Sequence, residues 1–393
     1  MISAVMPTYG RWDVSVDRGE GCYLYATDGR KFLDFTSGIA VTSLGHCHPR
    51  LIEAVTAQAN KLWHVSNLFQ IPGQQKLAER LVANSFADTV FFNNSGAEAV
   101  ELSIKVARKY QSETGHPERY RVLGCNGSFH GRSFATLAAA GAEAYLKGFG
   151  PVMDGFDHVA FNNLNEMRSA VTDQTAAILV EPVQGEGGVR APSADYLKGL
   201  RAICDEFGLL LVFDEVQCGM GRTGKLFAHE WSGIAPDVMA VAKALGNGFP
   251  IGACLATEKA AVGMVPGTHG STFGGNPLAV AAGNAVMDTM LEPGFFDAVQ
   301  RKSRLFSTGL EALVAAHPRL FAELRGSGLL LGIRCQQGLT AGDFVAALRA
   351  NGLLALTAGE NVLRLLPPLV VGEAEIAEGL GILNKVAREW PAS

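Results

Sequence analysis

The sequence predicts an α/β fold built on a mostly parallel sheet, and three observations carry that expectation. Short apolar runs alternate with helical patterns across the middle of the chain. Those runs are apolar on both faces, as strands covered by helices on either side must be. Polar and glycine-rich stretches follow directly after the runs, where such sheets place their sites. The expected organisation is an N-terminal segment, 1–49, packing with a small domain, a large domain over 50–285, and a small α+β domain over 286–393.

Taken in order, "GCYLYATDGRKFLDF" reads as a hairpin. In "ADTVFFNNSGAEAVELSIKVARKY", Val90 to Phe92 form a short strand. Ser95 then opens a helix, with Glu98 completing a capping box and Val100, Ile104 and Ala107 on the inner face. "SADYLKGLRAICDEFG" is a helix closed by Gly208, and "LLLVF" is a buried strand ending at Asp214. "NPLAVAAGNAVMDTML" is a long helix, and "GLLLGIRC" and "NVLRLLPPLV" supply strands of the small domain.

Composition narrows the function classes. The chain has 393 residues, 48% hydrophobic and 18% charged, with a formal net charge of -5. No basic stripe is present, which argues against a nucleic-acid partner. The seven cysteines are odd in number and form no C-x-x-C pair, so neither a zinc site nor a disulfide framework is expected. His46 and His48 in "GHCHP" read as a loop, and no metal is expected. "MISAVMPTYG" lacks a basic leader region, and no apolar run reaches membrane length, so a soluble cytoplasmic protein is expected.

The chemistry gathers around two residues. Asp214 ends an apolar strand, and Lys243 sits in the apolar run "VMAVAKALGNGFPIG". Burial would lower the lysine's pKa and make its amine nucleophilic toward an aldehyde. A buried aspartate and a buried lysine suit pyridoxal 5'-phosphate. The acid keeps the pyridine nitrogen protonated, and the amine forms a Schiff base and shuttles a proton. Asp214, Glu215, Val216 and Gln217 are taken together as a cofactor-binding stretch, with Gln217 a donor to the ring oxygen. Ser95, Gly96 and Ala97 open a helix whose free N–H groups would cradle the phosphate. Ser271 and Thr272 in "HGSTFGGNP" offer hydroxyls as a second cradle, with Ser271 also counted on the substrate side. In "GSFHGRSFATL", Phe129 could stack on the ring and Arg132 could hold a carboxylate, while His130 is given no role. "GMGRTGKL" has nucleotide-loop spacing, but Leu226 stands where magnesium binding needs Ser or Thr.

These segments, with "LGHCHP", "VEPVQGEGGV" and "HGSTFGGNPLA", resemble the class III, ornithine-type aminotransferases along nearly the whole chain. The resemblance implies the aspartate aminotransferase fold (PLP fold type I) and a homodimer, with Thr272 reaching the phosphate of the opposite subunit. It implies Lys243 as the cofactor lysine, Asp214 at the ring nitrogen, Gln217 at the ring oxygen and Arg132 as the carboxylate grip. Glu186 and Arg364 are similar to a switch pair that admits two substrates of different charge pattern. The implied reaction moves the δ-amino group of N2-acetylornithine to 2-oxoglutarate. Succinyldiaminopimelate, ornithine and 4-aminobutyrate are the other donors, and an aminomutase or a decarboxylating relative is the other reaction class.

Overall fold

Residues 3–391 are described in a computed structural model. The chain opens with an antiparallel meander of β1 (Val16–Glu20), β2 (Tyr23–Ala26) and β3 (Lys31–Asp34). The expected hairpin joins β2 to β3 and turns at Gly29, whose φ of 89° suits a residue without a Cβ.

The central sheet has seven strands: β4 (Thr89–Asn93), β5 (Arg121–Cys125), β6 (Phe156–Val159), β7 (Thr175–Val180), β8 (Leu210–Asp214), β9 (Val238–Val241) and β10 (Gly252–Ala256). Their spatial order is β4-β10-β9-β8-β7-β5-β6. All pairings from β9 to β6 are parallel, and β10 runs antiparallel to both of its neighbours. The sheet is therefore mostly parallel, as expected. Its sequence explains its burial. Leu211, Phe213, Met239 and Val241 join one apolar cluster, and Leu210, Val212, Val238 and Ala240 join another. Successive side chains alternate faces, so helices must cover both.

The C-terminal part contributes β11 (Phe321–Ser327), β12 (Leu330–Cys335), β13 (Leu353–Leu354), β14 (Leu356–Ala358) and β15 (Val362–Leu365). Four of these form an antiparallel sheet in the order β11-β12-β15-β14. β13 instead pairs in parallel with β3, tying the two ends of the chain together. The boundary expected at residue 285 falls inside a helix, Pro277–Met290, that runs unbroken on either side of it. Nothing in its sequence stops that helix before Leu291, because Asn284 and Thr289 satisfy their side chains on carbonyls four residues back.

Candidate active site

The parallel strands β4, β5, β7, β8 and β9 end on one edge of the sheet, and each is followed by residues that line one cavity of about 390 Å³. Asn94 to Ala97 follow β4, Phe129 to Arg132 lie beyond β5, Glu181 follows β7, Asp214, Val216 and Gln217 close β8, and Lys243 lies two residues past β9. Such an edge concentrates strand-end loops in one place, which is why ligands bind there.

Asp214 is buried, and both of its oxygens are engaged. Oδ1 accepts the Val216 N–H at 3.0 Å, and Oδ2 lies 2.8 Å from His130 Nδ1. An anionic Asp214 requires that nitrogen to carry the proton. Burial pulls the His130 imidazole down, but the hydrogen bond and charge of Asp214 more than offset it and hold its pKa above the ordinary value. Glu181 is a second buried acid at the same floor. Burial, then the charge of Asp214, push its pKa up, and His130 and the Phe129 and Gly185 N–H groups work against that rise. Sequence reasoning missed both His130 and Glu181. The histidine's partner is 84 positions away, and nothing in "VEPVQG" marks its glutamate as buried.

Glu215 is a correction. Expected among the cofactor residues, it does not line the cavity. Its carboxylate accepts the N–H groups of Ala228 and His229 at 2.6 and 2.9 Å and meets His229 Nδ1 at 2.8 Å. Neighbours in an extended chain point to opposite sides, so Asp214 at the cavity sends Glu215 behind it. Val216 does line the cavity. It packs so close to Gly96 that a Cβ there would sit 2.6 Å from its Cγ1.

Lys243 occupies a left-handed backbone position, φ 48°, at the start of a short 3₁₀ turn. Such a position costs about 1–3 kcal/mol for a residue with a Cβ and is found where surroundings fix a side chain for use. Burial lowers its pKa to about 8, with Glu186 pulling it back up and Arg364 pressing it down. Among the described residues the amine has no hydrogen bond or ion pair. Arg364 Nη1 donates to Glu186 Oε1 at 2.5 Å and to Gln217 Oε1 at 3.1 Å, and Gln217 Nε2 reaches Glu186 Oε1 at 3.4 Å. Burial raises the Glu186 carboxyl, but Arg364 outweighs it and leaves the acid below its usual range. The two residues are 178 positions apart, and β15 delivers the arginine.

The helix after β4, Gly96–Glu113, is capped by Ser95, whose hydroxyl accepts the Glu98 N–H at 3.2 Å. The reciprocal arm of the box differs from expectation: Glu98 accepts from the N–H of Asn94, not of Ser95. Gly96 and Ala97 lie in the first turn, whose N–H groups have no partner within the helix. Phe129 lines the cavity, and Arg132 lies exposed at its mouth with its guanidinium 3.8 Å from the centre of the Tyr145 ring. Val41 reaches the cavity from a run of four left-handed residues, Ser37 to Ala40. That run is held by Asp34 Oδ1, which accepts from Thr36 and Ser37, and by Ser37 Oγ donating to the Leu366 carbonyl.

Four more expected residues stand outside the cavity lining: Glu186 and Arg364, which reach its edge only through Gln217, and Ser271 and Thr272. Ser271 accepts the Gly274 N–H at 3.0 Å in a neighbouring hollow, and Thr272 is exposed. The nucleotide-loop spacing in "GMGRTGKL" has a structural origin. Arg222 is fully buried and donates to the carbonyls of Leu329 and Pro367 and to Ser43 Oγ, at 3.1, 2.6 and 3.0 Å. Burial lowers its pKa to about 9. It ties three distant segments together and leaves no cradle for a nucleotide.

The model of one family, aminotransferase class-III, matches residues 5–387. The chain belongs to the class-III aminotransferases. It is 56% identical over 386 residues to an acetylornithine aminotransferase of Mesorhizobium japonicum, covering 98% of this chain and 96% of that protein. It is 58% identical to acetylornithine aminotransferase 1 of Bradyrhizobium diazoefficiens, covering 97% and 94%. A solved N-acetylornithine aminotransferase from Stenotrophomonas maltophilia superposes with a TM-score of 0.85 at 38% identity, covering 97% of each chain. An ornithine aminotransferase from Toxoplasma gondii superposes with a TM-score of 0.94 at 31% identity, covering 98% and 92%.

The cofactor of this aminotransferase is pyridoxal 5'-phosphate, and the cavity suits it. An unpaired lysine amine stands where an aldehyde can be captured, and a fixed carboxylate stands where a ring nitrogen can be met. The open first turn of a helix supplies N–H groups for a phosphate. The volume lies in the usual range for a small-molecule site. No helix among the described residues is long and apolar enough to cross a membrane.

Proposed function

We propose that the aminotransferase moves the δ-amino group of N2-acetylornithine to 2-oxoglutarate, giving N-acetylglutamate 5-semialdehyde and glutamate, a step of arginine biosynthesis. The single observation that carries the reading is the common cavity of Lys243 and Asp214, with Glu186 and Arg364 paired at its side. The names borne by the relatives at 56% and 58% identity support the donor.

When bound, the cofactor supplies an aldehyde that exchanges amino groups and a ring that accepts the electrons of the broken C–H bond. Asp214, held by Val216 and His130, would present its charge to the ring nitrogen. Gln217 and Phe129, which line the cavity, would serve the ring oxygen and the ring face. Ser95, Gly96 and Ala97 would hold the phosphate. Lys243 would anchor the cofactor and carry a proton to and from the substrate carbon; burial already lowers the pKa of its free amine. Arg132 grips a carboxylate of each substrate. With Glu186 against it, Arg364 is neutralised and the amine end of the donor is admitted. With the pair parted, Arg364 binds the α-carboxylate of 2-oxoglutarate.

A homodimer is part of the same proposal. Exposed Trp63, Leu68 and Phe69 belong to a segment that Asn67 ties to the Ser271 and Gly274 carbonyls, on either side of exposed Thr272 and Phe273, and apolar exposure of this kind is what a second copy covers. From there Thr272 would serve the partner's phosphate. The large and small domains expected from the sequence, with the N-terminal segment on the small one, are proposed with their break after the helix Pro277–Met290. Six of the seven cysteines are buried and all are free, in keeping with a cytoplasmic site.

The experiment is a donor panel of N2-acetylornithine, succinyldiaminopimelate, ornithine and 4-aminobutyrate with 2-oxoglutarate, read as glutamate formed. The highest kcat/KM is expected for N2-acetylornithine. A tenfold preference for another donor would reassign the substrate, and carbon dioxide or an isomer without glutamate would reassign the reaction.

A further inference from the structure

We propose that Glu181 is a positioning residue for substrate discrimination: its carboxylate ties the Phe129 backbone to the turn that seats Glu186 against Arg364. The proposal rests on reading Glu186 and Arg364 as the pair that discriminates the two substrates.

Glu181 stands at the end of β7, 4% exposed, and reaches two separate segments. Oε1 accepts the Phe129 N–H at 2.9 Å, and Oε2 accepts the Gly185 N–H at 3.2 Å. Gly185 precedes Glu186 directly and lies flat against Gln217, where an added Cβ would fall 2.0 Å from Gln217 Oε1. That same oxygen accepts from Arg364. The turn, the amide and the ion pair are thus packed as one body, and displacing the Gly185 N–H displaces Glu186.

Other ties hold different parts of the loop. Gln184 and Arg190 exchange backbone hydrogen bonds at its neck, and the Glu186 carbonyl accepts the Gly359 N–H at 2.8 Å. The Gly185 N–H is held by Glu181. A carboxylate is suited to this task because each of its oxygens accepts. A glutamine has one oxygen and one NH₂, so one of the two backbone donors would face another donor. The Gly185 bond is the longer and is the one expected to open.

Opening it loosens the seat of Glu186, so Arg364 spends more time unpaired. A substrate that uses a free Arg364 then binds better, and one that needs it neutralised binds worse. A general structural defect would instead weaken both substrates or lower kcat alone.

The test measures KM for the amino donor and for 2-oxoglutarate in the holoenzymes of Glu181→Gln and Glu186→Gln. Glu186→Gln is expected to raise the donor KM and lower the 2-oxoglutarate KM. Glu181→Gln is expected to move both in the same opposed directions, each by about three- to tenfold. Opposed shifts in Glu186→Gln but parallel or absent shifts in Glu181→Gln would overturn the role of Glu181 and leave the switch standing. No opposed shift in Glu186→Gln would overturn the switch, and this proposal with it. Should Glu181→Gln not fold, hydrogen exchange on the wild-type holoenzyme decides. Protection of the Gly185 amide is expected, and exchange as fast as in exposed loops would overturn the proposal.

Discussion

Replacing Asp214 by Asn removes a charge and also breaks a hydrogen-bonding pattern. The wild-type carboxylate accepts from two donors, the Val216 N–H at 3.0 Å and His130 at 2.8 Å. An asparagine offers one oxygen, so its NH₂ must face one of those donors. A hydrogen bond to a charged group contributes about 1.5–3 kcal/mol, and a buried donor left unpaired costs about 1–3 kcal/mol. If the charged contact is to the ring nitrogen, the two together take about 2.5–6 kcal/mol from the transition state. At 1.36 kcal/mol per tenfold this is a fall of about 10²–10⁴ in rate. The assay is a single turnover of the donor half-reaction by stopped-flow absorbance at saturating donor, with cofactor content measured in the same sample. A rate within about threefold of wild type at equal cofactor content would refute the assignment of Asp214 to the ring.

Other outcomes follow from the same geometry. Arg132→Ala is expected to raise KM for donor and 2-oxoglutarate alike by about tenfold or more, since a charge-assisted contact is lost. A change confined to one substrate in steady-state kinetics would contradict the shared grip. Capture of the cofactor by apoenzyme needs the neutral amine of Lys243, whose lowered pKa is about 8. The capture rate is therefore expected to climb from pH 7 and level off above about 9, whereas a climb continuing past pH 10 would show an unperturbed lysine. Arg222→Ala leaves three acceptors orphaned and is expected to lower stability by about 2–4 kcal/mol in urea denaturation, partly offset because a buried cation is removed. An unchanged midpoint would mean the tie carries nothing.

The local signals in the sequence were sufficient for the frame of the site. A Ser-x-x-Glu pattern before an apolar periodicity marks the helix at Gly96, and an unbroken apolar run marks β8 and its exit at Asp214. What sequence could not supply is side-chain direction and long-range pairing. Glu215 looks equivalent to Asp214 in one dimension, yet one residue of strand rotation sends it to His229. His130 and Glu181 take their meaning from partners brought close by β5, β7 and β8, parallel strands that end on one edge of the sheet. Arg222 carried the spacing of a nucleotide loop because the chain turns tightly there around a buried guanidinium. Glu186 and Arg364 were reached by resemblance and not by any pattern of their own, since nothing local links residues 178 positions apart.

Reduction of the holoenzyme with borohydride fixes the cofactor to whichever amine holds it, and peptide mass spectrometry then reads the attachment point. The added mass is expected on the peptide containing Lys243. Its appearance on any other lysine, or no stable adduct in enzyme that turns over before reduction, would contradict the role of Lys243 as the cofactor lysine.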